Sequence, residues 1–245
     1  MEALTVPELL DAWEQGLGRP QFERALVLLA ASTGAEADKL ARLSVGRRDA
    51  LLLSLRELTF GSRLTSVSAC PACGERMEAT FDVAGLRVAP EGEGPQREAF
   101  ELSVNGYQIH FRLPDSLDQA ALSACAADVG AARDLLLRRC LLTVTHKGEE
   151  EGAEKLPQDI LEMIARRMEE MDPQADLRLG LSCELCAHAW EEAFDISSFF
   201  CAELDAWATR LLTETHTLAR AYGWRESDIL MMSAARRQFY LNLVS

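Results

Sequence analysis

The 245-residue chain is 48% hydrophobic, enough to bury a substantial core as one elaborate domain or two small ones. Its 39 acidic residues outweigh 25 lysines and arginines, for a formal charge of −14, which disfavours nucleic acid as a partner because an extended phosphate-neutralising surface does not fit that balance. The opening "MEALTVPELLDAW" has no basic leader, and no apolar run reaches the roughly 18 residues that would cross a bilayer, so a cytoplasmic protein without a membrane span is expected.

Residues 1–61 read as a helical region: "PQFERALVLLAAS" and "AEADKLARL" carry apolar residues at spacings of three and four, and "VGRRDALLLSLRELTFG" continues the pattern to a stop at Gly61. The period then changes. "RLTSVSAC" and "RMEATFDV" are short extended segments flanking the turn "PACG", and "LRVAPEGEGPQRE" is a loop of Pro, Gly and charge. In "AFELSVNGYQIHFRLP", Asn105-Gly106 lies between two alternating segments and predicts a two-residue hairpin, since both central turn residues need positive φ.

Beyond Pro114, Asp115 or Ser116 caps a helix over "LDQAALSACAADV", and "ARDLLLRRCLLTV" reads as another. "THKGEEEGAEK" reads as a charged loop. "PQDILEMIARRMEEMD" places Pro157 at a first helical position and Ile160, Ile164 and Met168 on one face. "DLRLGLSC" and "AWEEAFDI" repeat the strand, turn, strand pattern; a long helix follows from about Ser197 to Tyr222, broken by Gly223. The ending "WRESDILMMSAARRQFYLNLV" predicts one last helix capped by Ser227, with Ile229, Met232, Phe239 and Leu243 on one side. Because other faces are apolar too, that helix completes its own core or offers a partner or self-association surface, with Arg236 and Arg237 interrupting it.

The two CxxC stretches form an internal repeat: "CPACGERMEATFDV" from Cys70 aligns without a gap on "CELCAHAWEEAFDI" from Cys183, sharing both cysteines, Glu78 with Glu191, Phe81 with Phe194 and Asp82 with Asp195. Zinc favours four thiolates in a tetrahedron, and each CxxC turn supplies two. The expected site is therefore one structural Zn2+ per chain held by Cys70, Cys73, Cys183 and Cys186 in a split zinc ribbon. Redox use of the pairs and His188 as a replacement ligand are the weaker alternatives. Four thiolates close the shell, so this zinc is not expected to catalyse.

The expected fold is α+β, mainly helical, with the split ribbon at 62–84 and 176–196. A hairpin and helices are inserted at 85–175, and C-terminal helices span 197–245. The odd cysteines Cys125, Cys140 and Cys201 read as small buried hydrophobes. No catalytic residues are singled out: His110, His146, His188 and His216 show no HExxH spacing, Glu191-Glu192 reads as a solvated strand position, and no phosphate-binding glycine loop occurs. The pairs Arg47-Arg48, Arg138-Arg139, Arg166-Arg167 and Arg236-Arg237 are read as helix edges or as meeting acidic partners.

"GRRDALLLSLRELTFGSRL" before the first knuckle, "IHFRLPDSLDQAAL", the second CxxC and the ending "LARAYGWRESDILMMSAARRQFYLNLV" together resemble the T4-like baseplate or baseplate-hub assembly proteins of contractile phage tails and phage tail-like injection particles, in a subgroup with zinc knuckles. The resemblance implies an assembly role without enzyme activity, as an adaptor or chaperone for the baseplate hub that partners baseplate components and is either incorporated in the particle or released. The competing class is a regulatory or nucleic-acid-associated zinc-ribbon protein, against which the negative charge stands.

Overall fold

The computed structural model describes residues 1–88, 99–123 and 128–244. Two compact units emerge, Met1–Ala35 with Ile196–Ser245, and Glu36–Asp195. The chain is mixed α+β, mostly helical, with small antiparallel sheets.

The first unit opens with α1 (Val6–Gly16), started by a capping box in which the Thr5 hydroxyl accepts from the Glu8 amide and the Glu8 carboxylate accepts from the Thr5 amide at 2.8 Å. Helix α2 (Gln21–Thr33) ends at Gly34, whose φ of 68° gives the left-handed C-cap that glycine adopts without strain.

In the second unit α3 (Ala37–Ala41) precedes α4 (Val45–Phe60), whose first turn is capped by Ser44. Gly46 donates its amide to Asp172 Oδ2 at 2.9 Å, and a Cβ there would lie 2.1 Å from Asp172 Oδ1, so only glycine allows this approach. The first knuckle hairpin is β1 (Arg63–Ala69) with β2 (Arg76–Asp82), followed by the short α5 (Val83–Leu86). The expected loop at 86–98 lies almost entirely outside the described residues.

The inserted hairpin forms as expected: β3 (Phe100–Val104) and β4 (Tyr107–Phe111) pair across Asn105 and Gly106, at φ 49° and 83°. Helix α6 (Ser116–Ser123) is capped by Asp115, whose Oδ1 accepts from the amides of Leu117 and Asp118 at 2.9 and 3.0 Å. The next segment departs from the expectation. Helix α7 (Val129–Cys140) stops at Cys140, and "LLTVTH" becomes β5 (Leu141–His146), hydrogen-bonded to β4. β-Branched Thr143, Val144 and Thr145 fit a strand, and the free edge of β4 supplies the partner that local sequence does not reveal. The charged loop likewise begins as a hairpin, turning at Lys147 and Gly148 into β6 (Glu149–Glu150).

Helix α8 (Gln158–Met171) has Pro157 at its N-cap, one position earlier than expected. Its buried stripe of Ile160, Ile164 and Met168 packs with Ile109, Phe111, Leu137 and Val144 to form the core between the four-stranded sheet and helices α7 and α8. The second knuckle hairpin, β7 (Arg178–Ser182) with β8 (Ala189–Ala193), closes the unit.

The chain then completes the first unit with α9 (Ile196–Tyr222), stopped at Gly223. Phe200, Leu204, Ala208, Leu211, Thr215 and Leu218 are buried at spacings of three and four, and Leu10 of α1 packs with Ala208 and Leu211. Asp205 ties α9 to both earlier helices, accepting from Trp13 Nε1 at 2.8 Å and from Arg24 at 2.5 and 3.0 Å.

The single terminal helix is not formed. It splits into α10 (Glu226–Leu230) and α11 (Ala234–Leu241), because Ser233 caps a fresh start by accepting from the Arg236 amide at 3.3 Å, and Ser227 lies inside α10 instead of capping it. Ile229 is buried as expected, whereas Phe239 and Leu243 are more than 60% exposed. The "YGW" stretch acts as a clasp: Tyr222 stacks on Trp224 at 4.4 Å, and Tyr240 of α11 meets the Trp224 ring edge-on at 4.8 Å.

Candidate metal centre

Each knuckle is built by the same local bonds. In the first, the Cys70 amide donates to the Glu75 carbonyl and the Gly74 amide to the Cys70 carbonyl, both at 2.8 Å. In the second, the Cys183 amide donates to the His188 carbonyl at 2.8 Å and the Ala187 amide to the Cys183 carbonyl at 2.9 Å. The repeat seen in sequence is thus a repeat in backbone geometry. Gly74 and Ala187 occupy the matching position and both have positive φ, 76° and 58°.

The four cysteines expected to share a metal come together. Cys70 Sγ lies 3.7 Å from Cys186 Sγ, Cys73 Sγ lies 3.6 Å from Cys183 Sγ, and all four sulfurs fall within 4.8 Å of one another. A tetrahedron with Zn–S bonds of about 2.3 Å has edges of about 3.8 Å, so the donor set fits zinc in type and spacing. Cys70 and Cys183 are buried while Cys73 and Cys186 are exposed, so each knuckle contributes one inner and one outer sulfur.

Ionisation of the thiols argues the same way. Burial pushes Cys70 up, but the amides of Cys73 and Ala72 and the thiols of Cys73 and Cys186 outweigh it and bring it to about 7. The backbone of Glu75 favours a Cys73 thiolate, yet burial and the three neighbouring sulfurs prevail and push it up to about 12. Cys186 is also raised: the His188 backbone favours its thiolate, and burial together with the Cys183 and Cys70 sulfurs opposes it. Cys70 thus ionises readily, whereas Cys73 and Cys186 resist. A divalent cation at this spacing would supply the charge that favours thiolate ligands.

His188 is not part of this cluster, which is the only such group among the described residues. Its ring faces Trp190 at 6.0 Å, while its carbonyl holds the knuckle turn. Cys140 and Cys201 are buried, and burial first, then Asp118, pushes the Cys140 thiol to about 12. Cys125 lies outside the described residues.

Elsewhere in the second unit, the "RLPDSLD" stretch forms an ion cluster that sequence reasoning missed. Asp118 is fully buried and accepts from Arg112 at 2.6 and 2.9 Å and from Arg139 Nε at 3.0 Å. Burial would raise Asp118, but the Arg112 hydrogen bond leads the contributions that hold it below the usual carboxylate range. Arg48, 2% exposed, bonds to Asp49, to Ser116 Oγ at 3.1 Å and to Gln119 Oε1. These contacts fasten the start of α6 to α4 through Arg48 and to the end of α7 through Arg139. Partners separated by anything from one residue, Arg48 and Asp49, to 71, Arg48 and Gln119, leave no periodic signal.

A protein-family model described as T4 bacteriophage base plate protein matches residues 21–201. The chain belongs to the T4 bacteriophage base plate protein family. The match takes in the whole of the second unit and both knuckles of this baseplate-family protein. Searches of curated proteins and of solved structures return no match. Among the described residues no helix is long and apolar enough to cross a membrane.

Proposed function

We propose that this baseplate-family chain is a non-enzymatic adaptor or assembly chaperone for the baseplate hub of a contractile phage tail-like particle, stapled by one structural zinc on Cys70, Cys73, Cys183 and Cys186. The observation that carries the reading is the convergence of two distant repeats on a four-sulfur cluster inside the segment that matches the family. Four thiolates leave a tetrahedral zinc no open position for substrate and quench its electrophilic character, so the metal's work is mechanical. It joins residues near 70 to residues near 185, where two small hairpins have little core of their own, and it supplies folding free energy in its place.

Deleting the gene in cells that make the particle, then imaging their lysates by electron microscopy, tests the role. Loss of complete particles, restored by the wild-type gene and not by a Cys70→Ser, Cys183→Ser variant, is expected. Normal particle numbers in the deletion strain overturn the assembly reading.

A further inference from the structure

The two knuckles are nearly twofold equivalents, and the point where the equivalence fails is informative. On one side, Ser68 of β1 hydrogen-bonds the Glu192 carboxylate of β8, closing the hairpins against each other. The symmetry-matched positions are Leu181 and Ala79, which cannot make that bond, and there a groove of about 830 Å3 opens between β2 and β7. Consecutive residues from Glu75 to Phe81 line it, so it runs along the edge of β2 and not along one face.

Among the described residues that edge is unpaired, since β1–β2 and β7–β8 are separate two-stranded sheets. Cys70 pairs with Glu75, and the Val83 amide donates to the Ser62 carbonyl at 2.9 Å. Antiparallel alternation then sends the backbone groups of Met77, Ala79 and Phe81 toward β1 and those of Arg76, Glu78 and Thr80 outward into the groove. By the same rule, with the Cys183 and Phe194 amides fixing the phase, Gly180 and Ser182 direct theirs outward from β7. A Cβ at Gly180 meets nothing within 4 Å.

The groove's chemistry selects its occupant. Met77, Ala79 and Leu181 provide an apolar floor, whereas Glu75, Glu78 and Glu184 outnumber the single Arg76, and none of these four charged residues has an ion-pair partner among the described residues. We infer that the groove takes an extended, lysine- or arginine-bearing segment of a partner protein, which adds as a third strand along β2. Backbone bonds to Arg76, Glu78 and Thr80 provide the pairing, alternate apolar side chains cover the floor, and the intervening cations meet the glutamates. The partner's being a protein rests on the assembly reading above.

The test uses the full-length, zinc-loaded chain and an eight-residue alternating lysine–valine peptide, with binding read by fluorescence anisotropy. Saturable binding is expected, weakened at least tenfold by N-methylation of alternate peptide amides in at least one register. A Glu78→Lys, Glu184→Lys variant with unchanged zinc content should weaken it at least tenfold. Absence of saturable binding, indifference to N-methylation in both registers, equal affinity for a glutamate–valine peptide, or full affinity in the double variant each overturns the inference. A chain that binds no peptide yet is needed for particles sinks the groove alone; one that binds the peptide yet is dispensable for particles sinks the assembly reading alone.

Discussion

Exchanging the residues at the matched turn position, Ala187→Gly in the second knuckle and Gly74→Ala in the first, should move stability in opposite directions. Ala187 sits at φ 58°, in the left-handed region, where a Cβ crowds the following carbonyl at a cost of roughly 1–2 kcal/mol. Glycine removes that crowding, but it also loosens the unfolded chain by about 0.4–1 kcal/mol. The net gain for Ala187→Gly is therefore about 0.5–1 kcal/mol. At Gly74, φ is 76° and an added Cβ meets nothing within 4 Å, so Gly74→Ala introduces the backbone strain without a clash. A loss of about 0.5–1 kcal/mol follows from the same two contributions reversed.

With the proposed zinc coupling metal binding to folding of the knuckles, the differences are expected in both urea melts and zinc competition with a chelator, where 1 kcal/mol is about fivefold in Kd. Destabilisation by Ala187→Gly, or indifference to Gly74→Ala, would refute the claim that the turns are held in equivalent strained geometry.

Serine at one cysteine of either knuckle should give matching losses of bound zinc and of melting temperature, read by elemental analysis and calorimetry, since the shell fails from either side. Asp118→Ala should cost about 2 kcal/mol in denaturant melts by removing the buried carboxylate that Arg112 and the more exposed Arg139 both bond, and in the wild type the contribution is present at neutral pH and lost as acid carries the pH down through the lowered Asp118 value. Asp49 has the opposite sign: burial, only partly offset by Arg48, raises it to about 6, so its stabilising protonated form is complete below about pH 4 and lost as pH rises through 6. Relative to wild type, Asp49→Asn should therefore gain about 2–3 kcal/mol between pH 4 and 7, and a flat difference across that window would refute the assignment. Arg237→Ala should lose about 2–3 kcal/mol, since Arg237 is buried against Glu214 at 3.0 Å and the Met232 carbonyl at 2.7 Å, whereas Arg236→Ala should stay within about 0.5 kcal/mol.

The last of these contrasts marks where sequence reading reached its limit. Arg236 and Arg237 look like one basic interruption of a helix, yet one lies beside the Tyr240 ring and the other is buried against α9. What separates them is the new helix start at Ser233, a cap that one hydroxyl can make and that the surrounding apolar pattern conceals. The strand at Leu141–His146 was hidden for a related reason: leucines at helical spacing run across Cys140 with no glycine or proline to mark the change, and the deciding partner is β4, thirty residues away. By contrast, the Asn105-Gly106 hairpin was legible because its turn demands those residues, and the cysteine cluster because the chain repeats an entire strand, turn, strand phrase. The ion cluster on Asp118 was invisible, since buried charges announce themselves by partners and not by period.

Everything proposed for the metal follows from two distant knuckles sharing one zinc. Elemental analysis of protein purified under reducing conditions, combined with intact-mass measurement under non-denaturing conditions, tests it most directly. About one zinc per chain, lost when any of Cys70, Cys73, Cys183 or Cys186 becomes serine, is the predicted result. Metal-free protein whose CxxC pairs are found as disulfides in freshly reduced extract would contradict it.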